Sequence, residues 1–139
     1  MHFFFLVNIF PKNIQSIKIK MKFIILVENV NLSEYIKKLI IKNNDECIAA
    51  ESINDLISAI DTIKPDWLFI DLQWTKENAF KLTEKIRIKH PDTNIALLSD
   101  VNDEKLRLKA EKVGASVLIP KENLYDFYKI ILNKNHQGL

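Results

Sequence analysis

The sequence predicts a doubly wound α/β sandwich, on three observations. Strand-like and helix-like stretches alternate five times from Lys22 onward. Four of the five strand-like stretches are unbroken apolar runs, the pattern of a parallel sheet covered by helices on both faces. The connections are short, which leaves no room for a second domain or an interdomain linker.

The elements follow in order. "KFIILVEN" is a first strand running into Glu28 and Asn29. "NLSEYIKKLIIKNN" places Leu32, Tyr35, Ile36, Leu39 and Ile40 at helical intervals, with Asn31 as the expected cap and Glu34 three residues on. "ECIAAE" is a short second strand. "SINDLISAIDTIK" puts Ile53, Leu56, Ile57 and Ile60 on one helical face, opened by Ser52 and stopped before Pro65. "WLFID" is the third strand. "TKENAFKLTEKIRIKH" reads as a helix bounded by Thr75 and Pro91, and "NIALLSD" as the fourth strand. "NDEKLRLKAEKVGA" is a helix that starts acidic and ends on Gly114 as a left-handed cap. "SVLIPK" is the fifth strand. "ENLYDFYKIILNK" closes the chain as a helix with Leu124, Phe127, Tyr128 and Ile131 inward.

Composition agrees. The 139 residues suit one domain, and 47% hydrophobic with 27% charged residues is an ordinary globular balance. The net charge of +2 comes with no basic run of the kind that lines a nucleic-acid groove. The single cysteine, Cys47, excludes an internal disulfide framework and fits a reducing cytoplasm; its place in the second strand makes it a small core residue. Residues 1–21 stand apart. Their apolar run, Phe3 to Phe10, is far short of the roughly 20 residues that span a bilayer, and a secretory signal's basic start and small-residue cleavage site are missing. We therefore expect an N-terminal extension over 1–21, a folded domain over 22–134, and a short tail over 135–139.

In such a sheet, ligands bind at the carboxyl ends of the strands. Strand 1 ends in Glu28 and Asn29, strand 3 in Asp71, strand 4 in Ser99 and Asp100, strand 5 in Pro120 and Lys121. A charge cannot sit unpaired at the end of a run as apolar as Trp67–Ile70. The set offers a carboxylate nucleophile, a second acid, an amide, a hydroxyl and an ammonium. It suits transfer of a phosphoryl group onto Asp71. A divalent cation held by oxygen ligands would offset the charge of the incoming oxygens, and the hydroxyl and ammonium would hold them.

Residues 22–133 resemble the receiver domain of bacterial two-component response regulators. The matching pieces are "IILVEN", "KPDWLFIDLQW", "ALLSD" and "GASVLIPK", in the family's order and spacing. The resemblance implies a flavodoxin-like (βα)5 fold, a three-layer sandwich with a five-stranded parallel sheet of order 2-1-3-4-5. It implies Asp71 as phosphoacceptor, Ser99 as the switch hydroxyl and Lys121 as the phosphoryl-binding lysine. It also implies a Mg²⁺ site built from Glu28, Asn29, Asp71 and the backbone carbonyl of Gln73. The partners would be a histidine kinase or phosphotransfer protein, and an output protein received on the face made by helix 4, strand 5 and helix 5. Neither nucleic acid nor a membrane is an expected partner.

The sequence departs from the family at several positions. Asn29 replaces the acid that normally ligates the metal directly, which removes a charge and weakens Mg²⁺ binding. Asp100 stands where a small residue is usual and puts another negative charge near the phosphoryl site, unless it simply caps the fourth helix. Thr75 replaces a common proline and Ala79 a common glycine. Leu118 replaces the strand-5 aromatic that moves with the switch hydroxyl. Pro120-Lys121 inverts the order of some members. Trp74 is expected beside the metal site.

Two functions remain open: a single-domain receiver that takes a phosphoryl group and signals by contact, and a degenerate receiver that binds its partner without phosphorylation. An enzyme on the same sheet fits poorly. An aspartate-nucleophile phosphatase needs a second aspartate where Gln73 stands. A flavin carrier needs a Ser/Thr/Gly-rich loop where "ENVNLSE" stands. A cobalamin module needs an Asp-x-His motif that is absent. After the last helix, "NHQGL" is too short for a helix-turn-helix.

Overall fold

Five parallel strands form one sheet in the order β2-β1-β3-β4-β5 in the computed structural model, which describes residues 20–137. They are β1 (Lys22–Leu26), β2 (Glu46–Ala49), β3 (Trp67–Asp71), β4 (Asn94–Ser99) and β5 (Val117–Pro120). The helices are α1 (Val30–Lys42), α2 (Ile53–Ile63), α3 (Ala79–Lys89), α4 (Glu104–Lys112) and α5 (Leu124–Gln137). This is the expected flavodoxin-like (βα)5 sandwich. The expected extension falls on residues that, up to 19, lie outside those described.

The unbroken apolar strands have a simple cause: side chains of either parity are buried. One face of the sheet carries Ile24, Leu26, Leu68, Ile70, Ile95, Leu97 and Leu118. It packs on Leu56 and Ile60 of α2, Leu82 and Ile86 of α3, and Ala110 of α4. The other face carries Phe23, Ile25, Phe69, Ala96, Leu98 and Ile119 against Ile36 and Ile40 of α1 and Leu124, Tyr128 and Ile131 of α5. A strand exposed on neither face has no position left for a polar residue until it ends. The register then aligns those ends: Leu26 pairs with Ile70, Asp71 with Leu98, and Ser99 with Pro120.

Gly114 follows α4 at φ +100, as its position predicts. A side chain there would also collide, since a Cβ would lie 2.8 Å from Cγ of Arg87. Arg87 itself ties two loops together, donating to the carbonyl of Gly114 at 2.8 Å and to that of Thr93 at 2.6 Å. At the opposite end of the sheet Asp45 is buried. It accepts from the Met21 backbone N–H at 2.9 Å and from the Tyr128 hydroxyl at 2.8 Å, joining the start of β1 to α5.

Three helix starts differ from expectation. Asn29, not Asn31, caps α1: it is extended (φ −66, ψ 116) and its side chain accepts from Leu32 N. The third helix begins at Ala79, not Thr75, because Asn78 caps it through Phe80 N and Lys81 N while Thr75 is held elsewhere. Asp103, not Asp100, caps α4 through Lys105 N. A short 3-10 turn, Lys121–Asn123, also precedes α5.

Candidate functional site

Asp71 ends β3 with only 2% of its surface exposed. Its Oδ1 accepts from the backbone N–H of Gln73 at 2.9 Å and from Lys121 Nζ at 2.9 Å. The buried charge predicted at the end of the apolar run is thus paired. Lys121, delivered by the end of β5, also reaches Oδ1 of Asp100 at 2.6 Å. Partial burial works against its charge, but hydrogen bonds to Asp100 and Asp71 outweigh that and hold the ammonium's pKa above its ordinary value.

Ser99 ends β4 beside Asp71 and is 1% exposed. Its hydroxyl is turned to its own loop, donating to the Val101 carbonyl at 2.7 Å and accepting from Val101 N at 3.1 Å. Behind it on β5, Leu118 is buried in the layer that contains Ala110. Glu28 reaches across to the β3–α3 loop, where its carboxylate accepts from the backbone N–H of Thr75 at 2.7 Å and from its hydroxyl at 2.8 Å. The backbone hydrogen bond, then the hydroxyl, hold the Glu28 carboxyl below its ordinary pKa. Asn29 gives its amide oxygen to Leu32 N at 2.9 Å.

The expected site therefore assembles in two parts. Asp71, Gln73 and Lys121 come together, with Ser99 on the neighbouring strand next to Leu98, the register partner of Asp71, and its hydroxyl turned to Val101. Glu28 and Asn29 stand at the same sheet edge but are engaged with Thr75 and with the start of α1. The donors match a hard cation in kind, being all oxygen, yet they include only two carboxylates. Among the described residues no three acid, histidine or cysteine groups lie together as a ready cation cage. Trp74 is near the site in one sense only. Its backbone N–H donates to the Asp71 carbonyl at 3.0 Å, while its side chain is buried with Ala50 and Leu56 and lines a cleft of about 340 Å³ with Glu28.

Sequence reasoning missed two partners, Thr75 for Glu28 and Asp100 for Lys121. The second had a visible signal: an acid directly after the strand-4 hydroxyl, with another acid three residues later free to cap the helix.

A family model described as the response regulator receiver domain matches residues 24–131. The chain belongs to that family. Receiver domains of two-component systems generally bind Mg²⁺ at their acidic pocket and interact with histidine kinases or phosphotransfer proteins. Solved structures agree on the fold. A two-component response regulator from Clostridium difficile superposes with a TM-score of 0.72 at 21% identity, covering 83% of this chain and 98% of that one. The chemotaxis protein CheY4 of Vibrio cholerae gives 0.73 at 13% identity, covering 82% and 100%. NtrX of Brucella abortus, solved in complex with ADP, gives 0.73 at 16% identity, covering 86% of this chain. The present receiver spans 27% of that NtrX chain and nearly all of the other two. No curated protein matches the chain. Among the described residues no helix is long and apolar enough to cross a membrane.

Proposed function

We propose that Asp71 accepts a phosphoryl group from a phosphohistidine of a histidine kinase or phosphotransfer protein, and that the chain then signals by protein contact in the cytoplasm. One observation carries the reading: a carboxylate buried at a strand end, paired through a single oxygen to Lys121 at 2.9 Å. In the transfer an Asp71 oxygen forms the new O–P bond as the P–N bond breaks, and the imidazole nitrogen keeps that electron pair and is protonated. Lys121 then holds a phosphoryl oxygen, and Ser99 becomes a second donor once its hydroxyl leaves Val101. Asp71, the Gln73 carbonyl, the Asn29 amide oxygen and a released Glu28 would hold Mg²⁺ weakly. Bound there, the ion would offset phosphoryl charge. Output is assigned to the face of α4, β5 and α5, where Leu108 and Ile130 are exposed. We propose no enzymatic turnover, and no nucleic-acid or membrane partner.

The test is intact mass after incubation with acetyl phosphate and Mg²⁺. Wild type should gain one phosphoryl group, and Asp71→Asn should gain none. A second reading, a degenerate receiver, draws support from the neutral Asn29 and from Leu118. It takes over if wild type gains no mass while a conventional receiver run in parallel does.

A further inference from the structure

We propose that Asp100 is a tethered competitor for the phosphoryl group, occupying the anion position of Lys121 and so restraining phosphorylation at Asp71. The proposal rests on Asp71 being the acceptor. Lys121 Nζ lies 2.6 Å from Asp100 Oδ1 and 2.9 Å from Asp71 Oδ1, so the shorter contact is to the residue that does no chemistry. Contacts of those lengths on one nitrogen leave the two carboxylate oxygens no more than about 5.5 Å apart. Whatever binds Lys121 in place of the Asp71 carboxylate therefore arrives beside a second negative charge.

Among the described residues Asp100 caps no helix. The capping of α4 belongs to Asp103. Its side chain is 53% exposed and is not anchored by packing, whereas Lys121 is 21% exposed. Among the described residues its contact with Lys121 is the one polar contact its carboxylate makes. Asp100 also directly follows Ser99, the other group a phosphoryl oxygen would need, so it rides on the loop that the Ser99–Val101 bonds hold closed.

The chemistry fixes the sign. Acceptance replaces one negative charge at Asp71 by an acyl phosphate of nearly two. Lys121 must pass from a carboxylate to the phosphoryl oxygens, yet Asp100 retains one of its three donors and repels the new charge. Like charges no more than about 5.5 Å apart, partly screened by water, lower occupancy by roughly three- to tenfold. The effect is electrostatic at a half-exposed carboxylate, so salt must weaken it.

The experiment compares wild type, Asp100→Asn, Asp100→Glu and Asp71→Asn with acetyl phosphate in Mg²⁺ buffer, at low and at high salt. The phosphorylated fraction is followed by intact mass, and thermal midpoints check folding. Asp100→Asn keeps the side-chain volume and removes the charge. It should raise the initial rate and the plateau by about three- to tenfold at low salt, less at high salt, while Asp100→Glu stays near wild type. If wild type is phosphorylated and Asp100→Asn matches it, the competitor is wrong and the acceptor stands. If Asp100→Asn gains but high salt leaves the gain intact, the effect is not electrostatic and the competitor is again overturned. If neither protein gains mass while a conventional receiver does, the acceptor reading fails and takes the competitor with it.

Discussion

Restoring a charge at position 29 should tighten Mg²⁺ binding about tenfold. Asn29 already presents an oxygen at the end of β1, and that oxygen caps α1 by accepting from Leu32 N at 2.9 Å. Aspartate has the same length and caps equally well. In Asn29→Asp one carboxylate oxygen can keep the cap while the other turns to the pocket. A unit charge about 4 Å from another is worth about 1 kcal/mol in water-like surroundings, and a divalent ion doubles that. Sharing the carboxylate with the helix offsets part of the gain, which leaves about 1–2 kcal/mol, near a tenfold change in Kd. The fold should not suffer, since the first turn of α1 carries no acid; an anion there adds about 0.3–1 kcal/mol of stability. Titration calorimetry measures the affinity directly. Trp74 fluorescence offers a second readout, because its ring lies in the cleft beside Glu28. An unchanged Kd with an intact thermal midpoint would refute the reasoning and remove position 29 from the metal site.

Three further outcomes are expected. A chain beginning at Met21 should keep its thermal midpoint, because β1 starts at Lys22 and the Met21 nitrogen, as an α-amino group, can still donate to Asp45; a fall of several degrees, about 1 kcal/mol, would show that the earlier residues stabilise the body. Tyr128→Phe should cost about 1–3 kcal/mol at neutral pH by leaving the buried Asp45 with only one of its two hydrogen-bond donors. Burial and the Asp45 hydrogen bond raise the Tyr128 pKa, so its contribution is complete below the unfolded value of about 10 and is lost above it; the variant's midpoint, followed from pH 7 to 11, should therefore fall less steeply than wild type. An output protein recovered by pull-down should bind with similar affinity whether or not Asp71 carries a phosphoryl mimic, and a hundredfold preference, roughly 2.7 kcal/mol, would refute the idea of a blunted switch.

The strands were legible because their signal is redundant. Every residue from Leu68 to Asp71 is buried, so no single misjudged position could hide β3. The residues at the strand ends were legible for the same reason: each is the first polar group after an apolar run. The helix starts were not. The chain offers Asn29 or Asn31, Thr75 or Asn78, Asp100 or Asp103, each pair within a few residues and each chemically able to cap. Local pattern does not choose between them. For two pairs the choice is made by a contact distant in sequence. Glu28 takes Thr75 from 47 residues away, and Lys121 takes Asp100. Asn29 was read for its lost charge, and its capping of α1 went unseen because the turn out of β1 is tighter than the pattern implied.

These displaced caps lie at the sheet edge that carries the site, which bears on how a signal could leave it. Leu118 is an alkyl side chain buried in the layer that contains Ala110; it has no ring or hydroxyl to exchange between two positions. What remains movable is the loop from Ser99 to Asp103. It is closed by two Ser99–Val101 bonds, each worth about 1 kcal/mol, and by the Asp100–Lys121 pair. A phosphoryl group on Asp71 that recruits Ser99 would break both Ser99–Val101 bonds, while Asp100 keeps its contact with Lys121. The loop, with Val101 already exposed at its centre, would then be loosened at the start of α4 but still tied to β5 through Asp100 and Lys121. The change stays within the loop after β4, and with Leu118 unable to exchange positions behind it the output face is little altered, which is why an output protein is expected to bind both states with similar affinity.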